Sequence, residues 1–231
     1  MLGTMMDVPL TLPLLLDRAA ALFGSREIVS RRPDRSLVRS SYRELHERSY
    51  ALARALVRAG LRPGERVATL MWNHGAHLEA YFGVPLAGGV VHTLNLRLPA
   101  EQIAWIVNDA EDRFLIVDEV LLPLLQKCSA RTRLERIFVV PSGATSALEP
   151  GAGYEAYEDL LASGATAAAL PELAEQDACG LCHTSGTTGH PKGVLYTHRS
   201  SVLHCFAVAL PDSIGVSQRD VLLPVVPMFH V

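Results

Sequence analysis

Aromatic residues are scarce in this chain of 231 residues, at 6% of the total. So small a share argues against the stacking platforms that grip single-stranded nucleic acid. Positive charge is in deficit as well. Lys and Arg number 21 against 24 Asp and Glu, giving a net charge of −3 with no basic run. Neither a nucleic-acid surface nor a polybasic membrane patch is expected from that balance. Long hydrophobic runs are also missing, since no uninterrupted apolar stretch approaches the roughly 18–20 residues that cross a bilayer, and no transmembrane segment is expected. The apolar run Val8 to Leu16 has no basic stretch before it and carries Asp7, Asp17 and Arg18 around it, so it reads as an amphipathic helix rather than a leader peptide.

Cysteine is limited to positions 128, 179, 182 and 205. Cys179 and Cys182, with His183 beside them, invite a zinc reading, but the second ligand pair it needs is offered only by His204 and Cys205. In a strand, residues i and i+3 point to opposite faces, which weakens the pair further. Buried thiols of a cytoplasmic protein are the expectation. The nine histidines form no H-E-x-x-H set and there is no G-x-S-x-G elbow, so metallopeptidase and serine-hydrolase chemistry find no foothold. A dinucleotide-binding G-x-G-x-x-G is absent too. Gly88-Gly89 stands at the end of a helix and reads as its C-cap.

What is present is a hydrophobic fraction of 49%, enough for a substantial core in one large or two small domains. Leu10 to Phe23 reads as a helix, and Glu27 to Ser30 and Leu37 to Arg39 as short strands about a turn. Ser41-Tyr42-Arg43-Glu44 matches a capping box at the head of a helix that Gly60 stops. From Glu65 onward, strands at 66–71, 90–94, 113–117 and 137–140 alternate with helices at 74–86, 99–109 and 120–127. Alternation on this scale means βαβ units, hence an α/β fold: a doubly wound, mostly parallel sheet with flanking helices. Pro141 to Gly153 reads as a surface loop, Tyr154 to Ala162 as a short helix, and Thr166 to Asp177 as a connection. Thr197 or Ser200 caps a helix with apolar positions Val202, Leu203, Phe206 and Leu210, and Val221 to Val226 reads as a further strand.

The most informative stretch is Thr184-Ser185-Gly186-Thr187-Thr188-Gly189-His190-Pro191-Lys192-Gly193, between two strand-like segments. Almost nothing in it suits a hydrophobic core. Glycine lets successive backbone amides converge on an anion, the hydroxyls add donors, and Lys192 adds a compact cation. The Walker A pattern does not fit. It needs a lysine directly after its second glycine and a helix directly after that, whereas Pro191 intervenes and Val194-Leu195-Tyr196 reads as a strand.

This run resembles the phosphate-binding signature T-S-G-T-T-G-x-P-K-G of the adenylate-forming superfamily, with His183 where the family commonly has tyrosine. Gly64-Glu65-Arg66-Val67-Ala68, His77 to Pro85 and Ala87 to Asn95 also look like medium- to long-chain fatty-acyl-CoA synthetases, and Pro227-Met228-Phe229-His230 is similar to a P-[ML]-F-H segment beside the acyl substrate. The resemblance implies carboxylate activation with ATP, giving a fatty-acyl-AMP, and then a fatty-acyl-CoA. Thr184, Ser185, Gly186, Thr187, Thr188, Gly189 and Lys192 would hold the triphosphate, with Lys192 and His230 as the catalytic candidates. His230 and Val231 would line the carboxylate pocket, and Mg2+ would bridge phosphate oxygens near Thr184. The partners implied are a fatty acid, ATP and CoA, with no nucleic acid; a homodimer is compatible with the resemblance. The expected organisation is an α/β subdomain over 1–175 and a phosphate-loop hairpin opening a second subdomain over 176–231. The family's adenine-side Tyr-Gly-x-Thr-Glu segment, ribose-binding aspartate, hinge and lid domain fall beyond residue 231. The chain therefore reads as the incomplete N-terminal domain of an adenylate-forming enzyme, inactive alone. Two alternatives stand beside this reading: an aryl- or other acid–CoA ligase, and a short non-catalytic nucleotide-binding or dimerisation module.

Overall fold

Short strands that are apolar on both sides settle only where both faces are covered. The computed structural model, which describes residues 3–143, 153–166, 168–184 and 191–230, puts them in the middle layer of three. Helix α1 (Leu12–Phe23) is followed by an antiparallel hairpin of β1 (Glu27–Arg31) and β2 (Leu37–Ser41), then α2 (Tyr42–Arg58). The alternating region gives β3 (Arg66–Leu70), α3 (Gly75–Leu86), β4 (Val90–Thr93), α4 (Ala100–Asp109), β5 (Asp112–Asp118), α5 (Leu122–Ser129) and β6 (Arg136–Val140). The short β7 (Glu155–Ala156), α6 (Tyr157–Ser163), β8 (Ala178–Thr184), β9 (Lys192–Thr197) and α7 (His198–Ala209) complete the order.

The main sheet has seven strands in the order β7-β6-β5-β3-β4-β8-β9. Every neighbouring pair is parallel except β8 and β9, which form an antiparallel hairpin at one edge. The two-residue strand period sorts the core. Val67, Phe114, Ile116 and Phe138 pack with α1, α2, α3 and α6, while Ala68, Leu70, Leu115, Val117 and Val139 pack with α4 and α5. Each such buried side chain contributes on the order of 1.5–3 kcal/mol.

The capping box forms as expected: Glu44 N–H donates to Ser41 Oγ at 3.2 Å, and Ser41 N–H donates to Glu44 Oε2 at 2.7 Å. Leu45, Leu52 and Leu56 lie on the buried stripe of α2. Gly88 takes φ +76°, which L side chains rarely adopt, and so turns the chain from α3 into β4. Helices α2, α3 and α6 are stapled by Glu79, a carboxylate only 8% exposed, which accepts from Arg48 Nε at 2.7 Å and from the Tyr157 hydroxyl at 2.8 Å.

Three expectations are corrected. Val221 to Val226 is not a strand: it is irregular, with Val221 96% and Leu223 81% exposed. Pro224 lacks an N–H, and among the described residues no strand edge pairs with the segment. The helix expected at 120–127 begins as a single 3₁₀ turn, Glu119–Leu121, and becomes α-helical at Leu122, where Pro123 fits the first turn. The apolar stripe of α7 does not form one buried face. Val202 is buried, but Leu203, Phe206 and Leu210 are exposed.

Candidate nucleotide and acyl site

In the hairpin of β8 and β9, Thr184 stands directly opposite Lys192, His183 opposite Gly193, and Cys182 opposite Val194. The pairing brings the two ends of the hydroxyl–glycine–lysine run together, and the Thr184 hydroxyl donates to the Lys192 carbonyl at 3.4 Å. Both residues are exposed. Ser185, Gly186, Thr187, Thr188 and Gly189 lie outside the described residues, as does Val231. Because β8 is parallel to β4, Thr184 emerges at the carboxyl ends of the parallel strands, where ligands of open α/β sheets bind.

The second candidate segment arrives at the same edge. Asn73, in the loop after β3, clasps it through three hydrogen bonds. Its amide donates to the carbonyls of Pro224 at 3.0 Å and Val226 at 2.9 Å, and its oxygen accepts from Met228 N–H at 2.6 Å. The Tyr81 hydroxyl donates to the Met228 carbonyl. Phe229 is 4% exposed, meets Trp72 edge-on at 6.5 Å, and its carbonyl accepts from Thr93 Oγ1 at 3.4 Å. His230 follows directly and is exposed, its N–H donating to the Pro227 carbonyl at 3.0 Å.

Thr93 therefore joins the two segments. Its hydroxyl lies 3.4 Å from the Phe229 carbonyl and 3.4 Å from Cys182 Sγ, two residues before Thr184. Burial pushes the Tyr81 phenol well above its ordinary pKa, so it remains a neutral donor. Cys179 meets Ser201 of α7 and Cys182 meets Thr93, so the two thiols serve different contacts. Trp72 also lines a cavity of about 580 Å³ beneath the β1–β2 hairpin, but that lining includes neither Thr184 nor Phe229, and most of its charged groups are paired, Arg48 with Glu79 and Glu158 and His74 with Asp118.

His183, the departure from the family pattern, is held tightly. Its ring lies 2.9 Å from His92 Nε2 and 3.2 Å from Asp109 Oδ2, edge-on to Trp105. Gly193 lets it sit there: a Cβ at that position would fall 3.3 Å from the imidazole and 3.1 Å from Leu181 Cδ1. Asn73, Tyr81, Thr93 and His92 were not singled out from sequence. Asn73 and Met228 are 155 positions apart, and no local periodicity reports such a contact.

Known proteins share this chain's sequence and fold. The family model described as AMP-binding enzyme matches residues 16–231. The medium-chain-fatty-acid–CoA ligase of Ectopseudomonas oleovorans is 44% identical over all of this chain and 42% of its own length. The long-chain-fatty-acid–CoA ligase of Thermus thermophilus is 47% identical over 99% of this chain and 41% of its own length. Among solved structures, a long-chain-fatty-acid-CoA ligase from Archaeoglobus fulgidus shares the fold at TM-score 0.82 and 23% identity, covering 99% of this chain and 44% of that one. An anthranilate CoA ligase in complex with anthranoyl-AMP follows at TM-score 0.72 and 26% identity, covering 85% of this chain and 37% of that one. The chain thus spans about two fifths of the length of the curated relatives it matches.

Proposed function

The chain belongs to the AMP-binding enzyme family, and from that premise we propose that it carries the triphosphate-binding and carboxylate-facing parts of an ATP-dependent fatty-acid–CoA ligase. The observation that carries the reading is the convergence on Thr93 of the Thr184–Lys192 hairpin end and the Phe229–His230 segment. A carboxylate is a poor electrophile. In the proposed reaction its oxygen attacks the α-phosphorus of ATP, pyrophosphate leaves, and the CoA thiol then displaces AMP from the acyl-adenylate. This chain's contribution is positional and electrostatic. Thr184, Ser185, Gly186, Thr187, Thr188, Gly189 and Lys192 surround the phosphates, and His230 with Val231 orients the acid. The exposed Thr184 hydroxyl, which donates to the Lys192 carbonyl at 3.4 Å, is the side chain that would face Mg2+, an ion that neutralises phosphate charge while keeping most of its water shell.

Identities of 44% and 47% with medium- and long-chain-fatty-acid ligases, over 99% or more of this chain, support an aliphatic acid. We also propose that 176–231 opens a second subdomain after the α/β unit of 1–175. Exposed Leu195, Phe206, Leu210 and Val221 support that division, while the ladder of β8 on β4 ties the two together. No described helix is long and apolar enough to cross a membrane. A cytoplasmic setting and a homodimer rest on the family resemblance.

The test is binding of Mg-ATP, by calorimetry, to the protein expressed from its complete reading frame. A hydrogen bond to a charged group is worth about 1.5–3 kcal/mol, so Lys192→Met should weaken binding roughly 10- to 150-fold. Unchanged affinity in that variant would overturn the assignment. The 231-residue chain alone should give no ATP–pyrophosphate exchange.

A further inference from the structure

Position 93 carries a threonine where packing alone would accept a valine of the same shape. It ends β4, a strand buried along its whole length, and is itself only 4% exposed. A hydroxyl in such a place is costly unless it is hydrogen-bonded. Thr93 Oγ1 has two partners, each at 3.4 Å: Cys182 Sγ, its register neighbour on β8, and the Phe229 carbonyl. The Tyr81 phenol of α3 lies beside Thr93 as well and donates to the Met228 carbonyl. Side chains two apart on a strand share a face, so Thr184 leaves β8 on the same side as Cys182.

The hydrogens of this cluster can be counted. The carbonyls of Met228 and Phe229 only accept, and the Tyr81 and Thr93 hydroxyls supply one hydrogen to each. The Cys182 thiol keeps its own hydrogen, and Thr93 Oγ1 is the acceptor beside it. The order is therefore Cys182 S–H to Thr93 O–H to the Phe229 carbonyl, three donors serving three contacts. A hydroxyl that accepts one bond while donating another is polarised into a better donor. The reverse order, with Thr93 donating to Cys182, would take the donor from the carbonyl of a residue only 4% exposed.

We infer that Thr93 is a positioning residue for the proposed reaction, its hydroxyl setting where the Phe229 carbonyl, and with it His230, stands relative to the end of β8. The inference rests on the ligase reading and adds to it the group that fixes the two halves of the site against each other. Asn73 and Tyr81 fasten residues 224–228 to α3 and to the loop before it. Thr93, by contrast, belongs to the strand against which β8 is paired. Attack of a carboxylate oxygen on phosphorus needs the two reactants held in near-contact, and a small displacement of one relative to the other slows the step without weakening the binding of either. Loss of the hydroxyl should therefore fall on kcat and spare the affinity for ATP.

The test uses the protein expressed from its complete reading frame, following pyrophosphate release against Mg-ATP and against decanoate. Thr93→Val keeps the shape and removes the hydroxyl. Its kcat should fall roughly two- to tenfold, the worth of one ordinary hydrogen bond, while the KM for ATP stays near its parental value. Thr93→Ser returns the hydroxyl and should return kcat. An unchanged kcat in the valine variant, a rise in the KM for ATP as large as the fall in kcat, or a serine variant as slow as valine would each overturn the inference. A second position checks it without disturbing Thr93, should the valine variant fail to fold. Cys182→Ala removes the donor to Thr93 and should lower kcat, whereas Cys182→Ser keeps a donor and should not; equal rates in the two would count against the relay. No pyrophosphate release by the parental protein would sink the ligase reading and this inference with it. Release that Thr93→Val leaves untouched would sink the inference alone.

Discussion

Asn73 offers the sharpest perturbation, because one small side chain holds a segment that little else secures. Its amide makes three hydrogen bonds to residues 224–228, at 3.0, 2.9 and 2.6 Å. At a net 0.5–1.5 kcal/mol each, Asn73→Ala should cost the segment about 3 kcal/mol, a roughly hundredfold rise in the fraction of time it is open. The buried Phe229 ring and the Tyr81 and Thr93 hydroxyls remain, so release should be local, with the thermal midpoint nearly unchanged. Asn73→Asp separates the contributions. It keeps an acceptor for Met228 N–H but turns a carboxylate toward the carbonyls of Pro224 and Val226, so it should open the segment at least as far as alanine does. Hydrogen–deuterium exchange with mass spectrometry over residues 221–230 reads this directly. Parental exchange in the Asp variant would show that the amide is not what holds the segment, and the reasoning would fail.

Three further outcomes follow from the packing. Removing Glu79 by Glu79→Ala strips Arg48 and the buried Tyr157 hydroxyl of a shared partner, an expected loss of about 3–5 kcal/mol in urea denaturation, against about 1–3 kcal/mol for Tyr157→Phe. A Glu79→Ala loss no larger than that from deleting the exposed Arg39–Glu27 pair would contradict this. Gly164→Ala would set a methyl 1.9 Å from the Ala51 carbonyl oxygen and should cost about 3 kcal/mol or more, whereas Gly75→Ala meets only Ser30 Oγ at 3.6 Å and should change stability little. His77, buried between Thr69 Oγ1 and the Trp72 carbonyl, has its pKa pushed down to about 4, chiefly by burial. Its folded value lies below its unfolded value near 6.5, so the fold is unpenalised above pH 6.5 and loses about 3 kcal/mol as pH falls from there to about 4. An NMR titration of His77 with a midpoint near 6.5 would refute that.

The elements legible in the sequence are those whose cause is local. The Ser41–Glu44 capping box, the alternation after Glu65 and the turn at Gly88 each depend on residues within a few positions of one another, and each appears as expected. The strand expected at 221–226 failed because apolar character was the only cue, and a strand also needs a neighbour for its ladder. The candidate site divides in the same way. The hairpin ends Thr184 and Lys192 announce themselves through glycine and hydroxyl content. Asn73, Thr93 and the His92–Asp112 pair owe their roles to chain segments 20 to 155 residues away, and composition carries no trace of such meetings.

Among the described residues strand β9 closes one edge of the main sheet, with Val194 39% and Leu195 61% exposed and β8 as its one neighbour. A ladder with one row of amides and carbonyls left over, beside apolar side chains, is a template for any extended peptide that meets it. Preparations of this chain by itself should therefore associate as concentration rises, and a lysine introduced at Leu195 should keep them dispersed.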